Sequence, residues 1–338
     1  MSSVKAALWE RLDGGRVRCR LCFRRCALEP GQKGFCGVRV NEAGELRTLV
    51  GDAVASVNLD PVEKKPLYHF LPATRTLSIG TLGCNFACRF CQNSSISRRP
   101  AETGDCSGQR PVRPQDIVGS ARAHGIPSIS FTYNEPTVFF ELMAKTADLA
   151  LAEGVRTVMV SNGCMSEECL RELGPRITAA NIDLKTFSPE VYRTVCSGSL
   201  DAVKRNLAAM KRLGWWVEVT TLAIPGLNDS DAEFKAIADF IACELGRDTP
   251  WHVSAFFPCY RMQDRPPTPE ATVLRACAIG EAEGLRYAYA GNLRSAKGSS
   301  TRCPGCGTVL IERRGFAVTR LVKGVCPSCG QRLAGVWT

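Results

Sequence analysis

The sequence predicts an α/β protein whose core is a parallel sheet closed, or partly closed, into a barrel. Seven apolar strand-like runs recur between about residues 76 and 292. Helical patterns with apolar spacing of three and four lie between them. Polar residues collect where the runs end. Repeated strand–helix alternation implies right-handed crossovers, and six or seven such units place a site at the strands' C-terminal ends.

The elements follow in order. "TLSIGTLG" (76–83) leads into a cysteine-rich loop, and "SISFTYNEP" (128–136) ends on a polar turn. "RTVMVSNG" (156–163) ends likewise, and "AANIDLKT" (179–186) carries Asp183 and Lys185 two residues apart, on one face of a strand. A face turned toward a polar ligand explains that pair better than loop composition does. "WWVEVTTLAIPG" (215–226), "WHVSAFFP" (251–258) and "LRYAYAGN" (285–292) complete the series. His252 opens the sixth run, with Ser254 and Phe256 on its face. The intervening helices are expected over Pro136 to Glu153, Asp201 to Leu213 and Asp229 to Leu245.

With 338 residues, the chain can bury roughly three quarters of its unfolded surface. No run of 18 apolar residues occurs, and "MSSVKAALWERLDGG" lacks an apolar signal core, so a soluble cytoplasmic protein without a membrane span is expected. Eighteen cysteines are too many to be incidental. Their short spacings suit metal chelation better than disulfides in a chain of this length. Three groups stand out: Cys19/Cys22/Cys26/Cys36, Cys84/Cys88/Cys91 and Cys303/Cys306/Cys326/Cys329. For Cys106, Cys164, Cys169, Cys196, Cys243, Cys259 and Cys277 buried packing is expected; Cys196 falls near the barrel mouth. The basic excess lies at the ends: residues 1–75 carry 13 Lys/Arg against 8 Asp/Glu, and residues 286–338 carry 9 against 1. An acidic partner such as RNA would use it; compensation of thiolate charge is the plainer reading.

The central triad, "GCNFACRFCQN", has the spacing C-x3-C-x2-C. A 4Fe-4S cubane takes four thiolates; three leave one iron with an open coordination site, the mark of a catalytic centre. With an aromatic, Phe90, before its last cysteine, this motif resembles the signature of radical S-adenosylmethionine (SAM) enzymes. The resemblance implies a partial (β/α)6 barrel in which Cys84, Cys88 and Cys91 hold the cluster. SAM would chelate the unique iron and be cleaved to a 5'-deoxyadenosyl radical that abstracts hydrogen. It also implies SAM or substrate contacts for Asn134 and Glu135 of "YNEP", where Glu135 corresponds to an amino-group contact. Ser161 and Asn162 of "SNG", Asp183 and Lys185 of "DLK", and His252 are implied likewise. "TTLAIPGLND" would lie near adenine. Tyr133 and Asn134 stand where two glycines are usual, and Tyr tolerates left-handed backbone angles poorly. A narrower resemblance, through "CRLCFRRCALEPGQKGFCGVR", "VEKKPLYHFLP", "VSNG" and "CPGCGTVLIERRG", is to the radical SAM enzymes of the AmmeMemoRadiSam system, related to pyruvate formate-lyase activating enzymes.

The C-terminal quartet, two "CPxCG" knuckles around a potential hairpin, has the spacing of a zinc ribbon; a rubredoxin-like iron site uses the same thiolates. Cys19, Cys22, Cys26 and Cys36 can saturate either zinc or an auxiliary 4Fe-4S cluster, and their knuckle-like spacing favours zinc. The expected domains are 1–72, 73–294 and 295–338. The leading expectation is a SAM-cleaving enzyme fed by a low-potential donor such as flavodoxin or ferredoxin, acting on an unidentified substrate, protein or RNA included. A glycyl-radical activase is the alternative within that class. Outside it stands a zinc-ribbon nucleic-acid-binding iron–sulfur protein.

Overall fold

All seven expected strands form and run parallel in one sheet. The computed structural model describes residues 3–338. The sheet begins with an eighth strand, β1 (Ser56–Pro61), which pairs antiparallel with β2 (Arg75–Gly80). Then follow β3 (Ser128–Phe131), β4 (Arg156–Ser161), β5 (Ala179–Asp183), β6 (Trp216–Ala223), β7 (Trp251–Ala255) and β8 (Ala288–Gly291). Neighbours in the sheet are neighbours in the chain, and β1 and β8 form the two edges. The strands end earlier than the apolar runs, because the polar turns after Phe131, Ser161 and Asp183 leave the ladder.

The crossovers include α1 (Pro114–Ala123), α2 (Phe140–Ala152), α3 (Glu167–Leu173), α4 (Leu200–Arg212), α5 (Asp231–Phe240) and α6 (Glu270–Ala282). Ser166, Ser199 and Ser230 cap α3, α4 and α5 by accepting from the backbone N–H groups of Cys169, Ala202 and Glu233, which satisfies donors the first helical turn leaves open. Phe131, Met159, Ile182, Val219 and Val253 are fully buried. Polar strand residues alternate with them: Ser78, Ser130, Asn181 and Glu218 are also buried.

Residues 62–71 lie against this polar face. Glu218 accepts from the backbone N–H groups of Tyr68 and His69 at 2.9 and 2.8 Å, and Asn181 donates to the carbonyl of Pro66. Val62, Leu67, Phe70 and Leu71 form a small core with Val158 and Ala179. Ser56–Pro61 and the segment after it, which precede the boundary expected at residue 72, pair with and pack against the barrel sheet. The N-terminal part proper consists of two small antiparallel sheets. A buried ion pair from Arg39 to Glu141 of α2 docks it, and Glu141 also accepts from the backbone N–H of Ala7.

The hairpin expected at the C-terminus forms as β10 (Val309–Arg314) and β11 (Ala317–Leu321), with β9 (Thr301–Arg302) beside β10. Arg313, fully buried, donates to the carbonyl of Tyr68 at 2.8 Å, and the ring of His69 meets the carbonyl of Ala334 at 2.7 Å. Among the described residues no helix is long and apolar enough to cross a membrane.

Candidate active site and metal centres

The loop after β2 carries Cys84, Cys88 and Cys91 and is tied down on every side. Gly83 has φ 88°, and a Cβ there would stand 2.8 Å from the carbonyl of Cys36, so only glycine fits both the angle and the space. Asn85, almost fully buried, accepts from the amide of Asn162 at 2.7 Å. The N–H groups of Ala87 and Arg89 donate to the carbonyls of Cys196 and Val195. Arg98 donates to the carbonyl of Phe86 at 2.9 Å, and Arg24 to that of Asn85 at 2.7 Å. Phe86 is clamped edge-on between Phe23 and Tyr192.

Burial pushes the thiols of Cys84 and Cys91 up in pKa; for Cys88 the nearby Cys196 leads and burial adds. The thiols are therefore protonated until a metal displaces the protons. Among the described residues one set alone, Cys303/Cys306/Cys326/Cys329, brings three or more ligand atoms within 4.8 Å of one another. Neither the triad nor the N-terminal quartet is gathered for one ion. Three separated thiols on a rigid loop fit a cluster whose irons are bound one thiolate each.

The residues predicted to surround that loop divide into scaffold and open groups. Glu135, 1% exposed, accepts from Thr137 N, Thr137 Oγ1, Ser161 Oγ and Asn162 N at 2.6–3.0 Å. Three of these donors share Oε1 and one takes Oε2, which keeps a lone pair. Burial raises its pKa and these bonds oppose the rise. Glu135 thus positions the Ser161–Asn162 turn through these bonds, while its Oε2 takes only the one from Asn162 N. Ser161 Oγ donates to Glu135 and accepts from the N–H of Gly163. Asn162 passes the fixation on, through Asn85 and an N–H···S contact of 3.9 Å to Cys84. Asn134 holds the same loop by accepting from Thr81 N and donating to the carbonyl of Gly83. Tyr133 does take the left-handed backbone, φ 74°. Its hydroxyl donates to Asp60 of β1 at 2.6 Å and Lys65 lies over its ring, so contacts from the antiparallel edge offset a strain of about 1–3 kcal/mol.

Asp183 and Lys185 remain open. Lys185 Nζ pairs with Asp183 Oδ2 at 2.7 Å, and Asp183 is about a third exposed (34%). Lys185 also faces the ring of Phe90 at 5.8 Å. Burial lowers its pKa, but the interactions that outweigh this, led by the Asp183 carboxylate, raise it well above the usual value, so it stays a cation beside the cysteine loop. Asn228, in the "TTLAIPGLND" stretch, fixes the pair from behind by donating to the carbonyl of Lys185 at 2.6 Å.

His252 lies apart from these groups. Its Nε2 donates to Glu218 at 2.6 Å, Tyr68 packs edge-on against its ring and Tyr289 lies tilted beside it. Glu218 further accepts from Trp216 Nε1. The Nε2 of His252 is thus committed to a protein carboxylate within a buried cluster of polar and aromatic groups. Reading the sequence alone misses Glu218, Asn85, Arg98 and Asn228. Buried Asn and Glu inside strongly apolar runs are the signal that could have found Glu218.

In the C-terminal quartet the Sγ atoms of Cys303 and Cys329 are 3.5 Å apart, and those of Cys306 and Cys326 3.6 Å. Tetrahedral thiolates at a zinc distance of about 2.3 Å have edges of roughly 3.8 Å, so the set fits a single ion. The N-terminal quartet instead surrounds a cavity. Of the scattered cysteines, Cys106, Cys164, Cys169, Cys196 and Cys277 are buried as expected, whereas Cys243 is exposed. Cys259 is half-buried and donates to the carbonyl of Phe90 at 3.2 Å.

Comparison with known proteins agrees with this geometry. The profile of the radical SAM superfamily matches residues 78–241, the stretch from β2 to the end of α5. The Methanocaldococcus jannaschii protein "Uncharacterized protein MJ0808" is 40% identical over 333 residues, spanning 97% of this chain and 98% of that one. MJ1632 of the same organism, which carries the provisional name glycyl-radical enzyme activating enzyme, is 24% identical over 53% of this chain and 67% of its own length. A crystal structure of a radical SAM methyltransferase from Sphaerobacter thermophilus superposes with a TM-score of 0.50 at 16% identity, over 91% of this chain and 79% of that one. At that identity the likeness concerns the fold. The cysteine loop and strands β3 to β6 lie within the matched stretch, so this chain carries a radical SAM superfamily domain over residues 78–241.

Proposed function

We propose that the chain reductively cleaves S-adenosylmethionine at a 4Fe-4S cluster held by Cys84, Cys88 and Cys91, and uses the resulting radical chemistry to take hydrogen from a substrate. The observation that carries this reading is the immobilised three-thiol loop beside the Asp183–Lys185 pair. The cluster, when bound, supplies one low-potential electron to SAM. The chain's own part is to fix the loop through Asn85, Arg98 and Asn162, and to present one carboxylate and one cation next to it. A developing negative charge meets Lys185 Nζ; an ammonium or hydroxyl meets Asp183. A donor such as flavodoxin or ferredoxin would deliver the electron, and the C-terminal quartet would hold structural zinc. Anaerobically reconstituted protein with a strong reductant should convert SAM to 5'-deoxyadenosine. An intact cluster with no such product would refute the reading.

A glycyl-radical activase is the second reading, favoured by the likeness to MJ1632 over half of this chain. Deuterium transfer into 5'-deoxyadenosine from a glycine-labelled partner protein would support it. Transfer from an RNA or a small molecule instead would exclude it.

A further inference from the structure

The two cysteine quartets differ in a way that spacing alone does not reveal. At the C-terminus the sulfurs close on one another. At the N-terminus Cys19, Cys22, Cys26 and Cys36 line a small cavity of about 20 Å³. Leu21, Phe35 and Val138 form apolar wall around them. A water in such a space wants two to four good hydrogen-bond partners, and thiols among apolar side chains are poor ones. A single ion needs its thiols gathered around one point, and among the described residues these four are not brought within 4.8 Å of one another as the C-terminal four are. Four thiols spread around a void suit a cubane, one thiolate to each iron with no iron left open.

Two cations face the same space. Arg39 Nη1 approaches Cys19 Sγ at 3.8 Å. Arg24 lines the cavity and lies flat on Phe35, 3.3 Å from its ring centre. Each offers charge to offset a four-thiolate site.

The cavity also touches the triad loop. Asn85, the residue after Cys84, lines it. The carbonyl of Cys36 packs where a Cβ of Gly83 would stand, at 2.8 Å. Arg24 bridges the two, donating to the carbonyl of Asn85. The two cysteine sites are therefore joined through Cys36, Gly83 and Cys84 with no intervening layer.

We propose that Cys19, Cys22, Cys26 and Cys36 bind a second 4Fe-4S cluster rather than zinc, and that it relays single electrons from the external low-potential donor to the Cys84 loop. Each relay step takes one electron from the donor and gives one up; no bond is made or broken. Assignment of this site stands whether or not SAM is the partner of the triad.

The test uses the full-length protein reconstituted anaerobically. About eight irons and one zinc per chain are expected; about four irons and two zincs would overturn the proposal. Spectroscopy of the reduced parent protein should show two distinct cluster signals, of which SAM shifts one. A single signal that SAM shifts completely would also overturn it. The pair of substitutions Cys22→Ala and Cys26→Ala should remove about four irons and leave the zinc. In that variant 5'-deoxyadenosine formation driven by reduced flavodoxin should fall at least tenfold further than formation driven by dithionite. Equal losses under both reductants would refute the relay.

Discussion

A methyl group added at Gly198 should dislodge the cysteine loop. A Cβ at Gly198 would stand 2.4 Å from Phe86 Cζ and 2.8 Å from both Cε atoms, against an ordinary carbon contact of about 3.5–4.0 Å. The backbone at 198 is outside the left-handed region, so the Ala substitution tests contact rather than backbone strain. Phe86 is 2% exposed and cannot turn aside, because Phe23 and Tyr192 flank it. The ring must retreat by about 1 Å and carry its loop with it. Overpacking of this kind costs about 1–3 kcal/mol, a Tm decrease of about 1–4 °C in a chain of this size. Calorimetry reads the first effect, and the iron retained per chain after desalting reads the second. Phe86→Leu in the same chain should recover part of the loss, with a coupling of about 1 kcal/mol or more. A Gly198→Ala protein that melts and holds iron like the parent would refute the account of how this loop is held.

Other expectations follow from the same contacts. Lys185→Met and Asp183→Asn should each lower 5'-deoxyadenosine formation at least about tenfold, since each removes one charge from the pair; parental rates in both would remove the pair from the site. Glu135→Gln replaces an acceptor of four donors with a group that itself donates, and should cost about 1–3 kcal/mol by urea titration; unchanged stability would contradict its scaffold role. His69 is fully buried, and burial lowers its pKa from 6.5 to about 4. Below about pH 6.5 the unfolded chain binds a proton that the folded chain refuses. This contribution is therefore whole above that pH and is lost as pH falls toward 4, up to about 3 kcal/mol. Melting curves of the parent and His69→Gln should converge as the buffer is taken from pH 7.5 to 5, and parallel curves would refute the assignment. Cys306→Ser should release the zinc and leave iron content unaltered, as metal analysis would show; loss of iron as well would tie this quartet to a cluster.

Much of the barrel was legible because each crossover repeats the same apolar alternation, so errors in one element do not spread to the next. Strand β1 was missed for a physical reason. "SVNLDP" has the polarity of a surface segment because its Asp60 and Asn58 are spent on Tyr133, a partner 73 and 75 residues away in the chain. The cysteines were legible because metal chemistry fixes both residue type and spacing. What Glu135, Ser161 and Asn162 do was not. Their identities suit a ligand or a scaffold equally, and only folding reveals the bonds that tie the three together. The same holds for His252, whose ring is committed to Glu218.

The contacts of Arg313 and Ala334 with Tyr68 and His69 give the C-terminal hairpin a thermodynamic voice in the barrel. An ion that binds the folded quartet and not the unfolded chain adds RT ln(1 + [ion]/Kd) to the stability of whatever folds with it. Here that includes the segment laid across the inner face of the sheet. Each tenfold rise in free ion above Kd is then worth about 1.4 kcal/mol to the floor beneath the active site, though the ion touches no reacting atom. Metal supply in the surroundings would set how firmly this segment is held against the sheet.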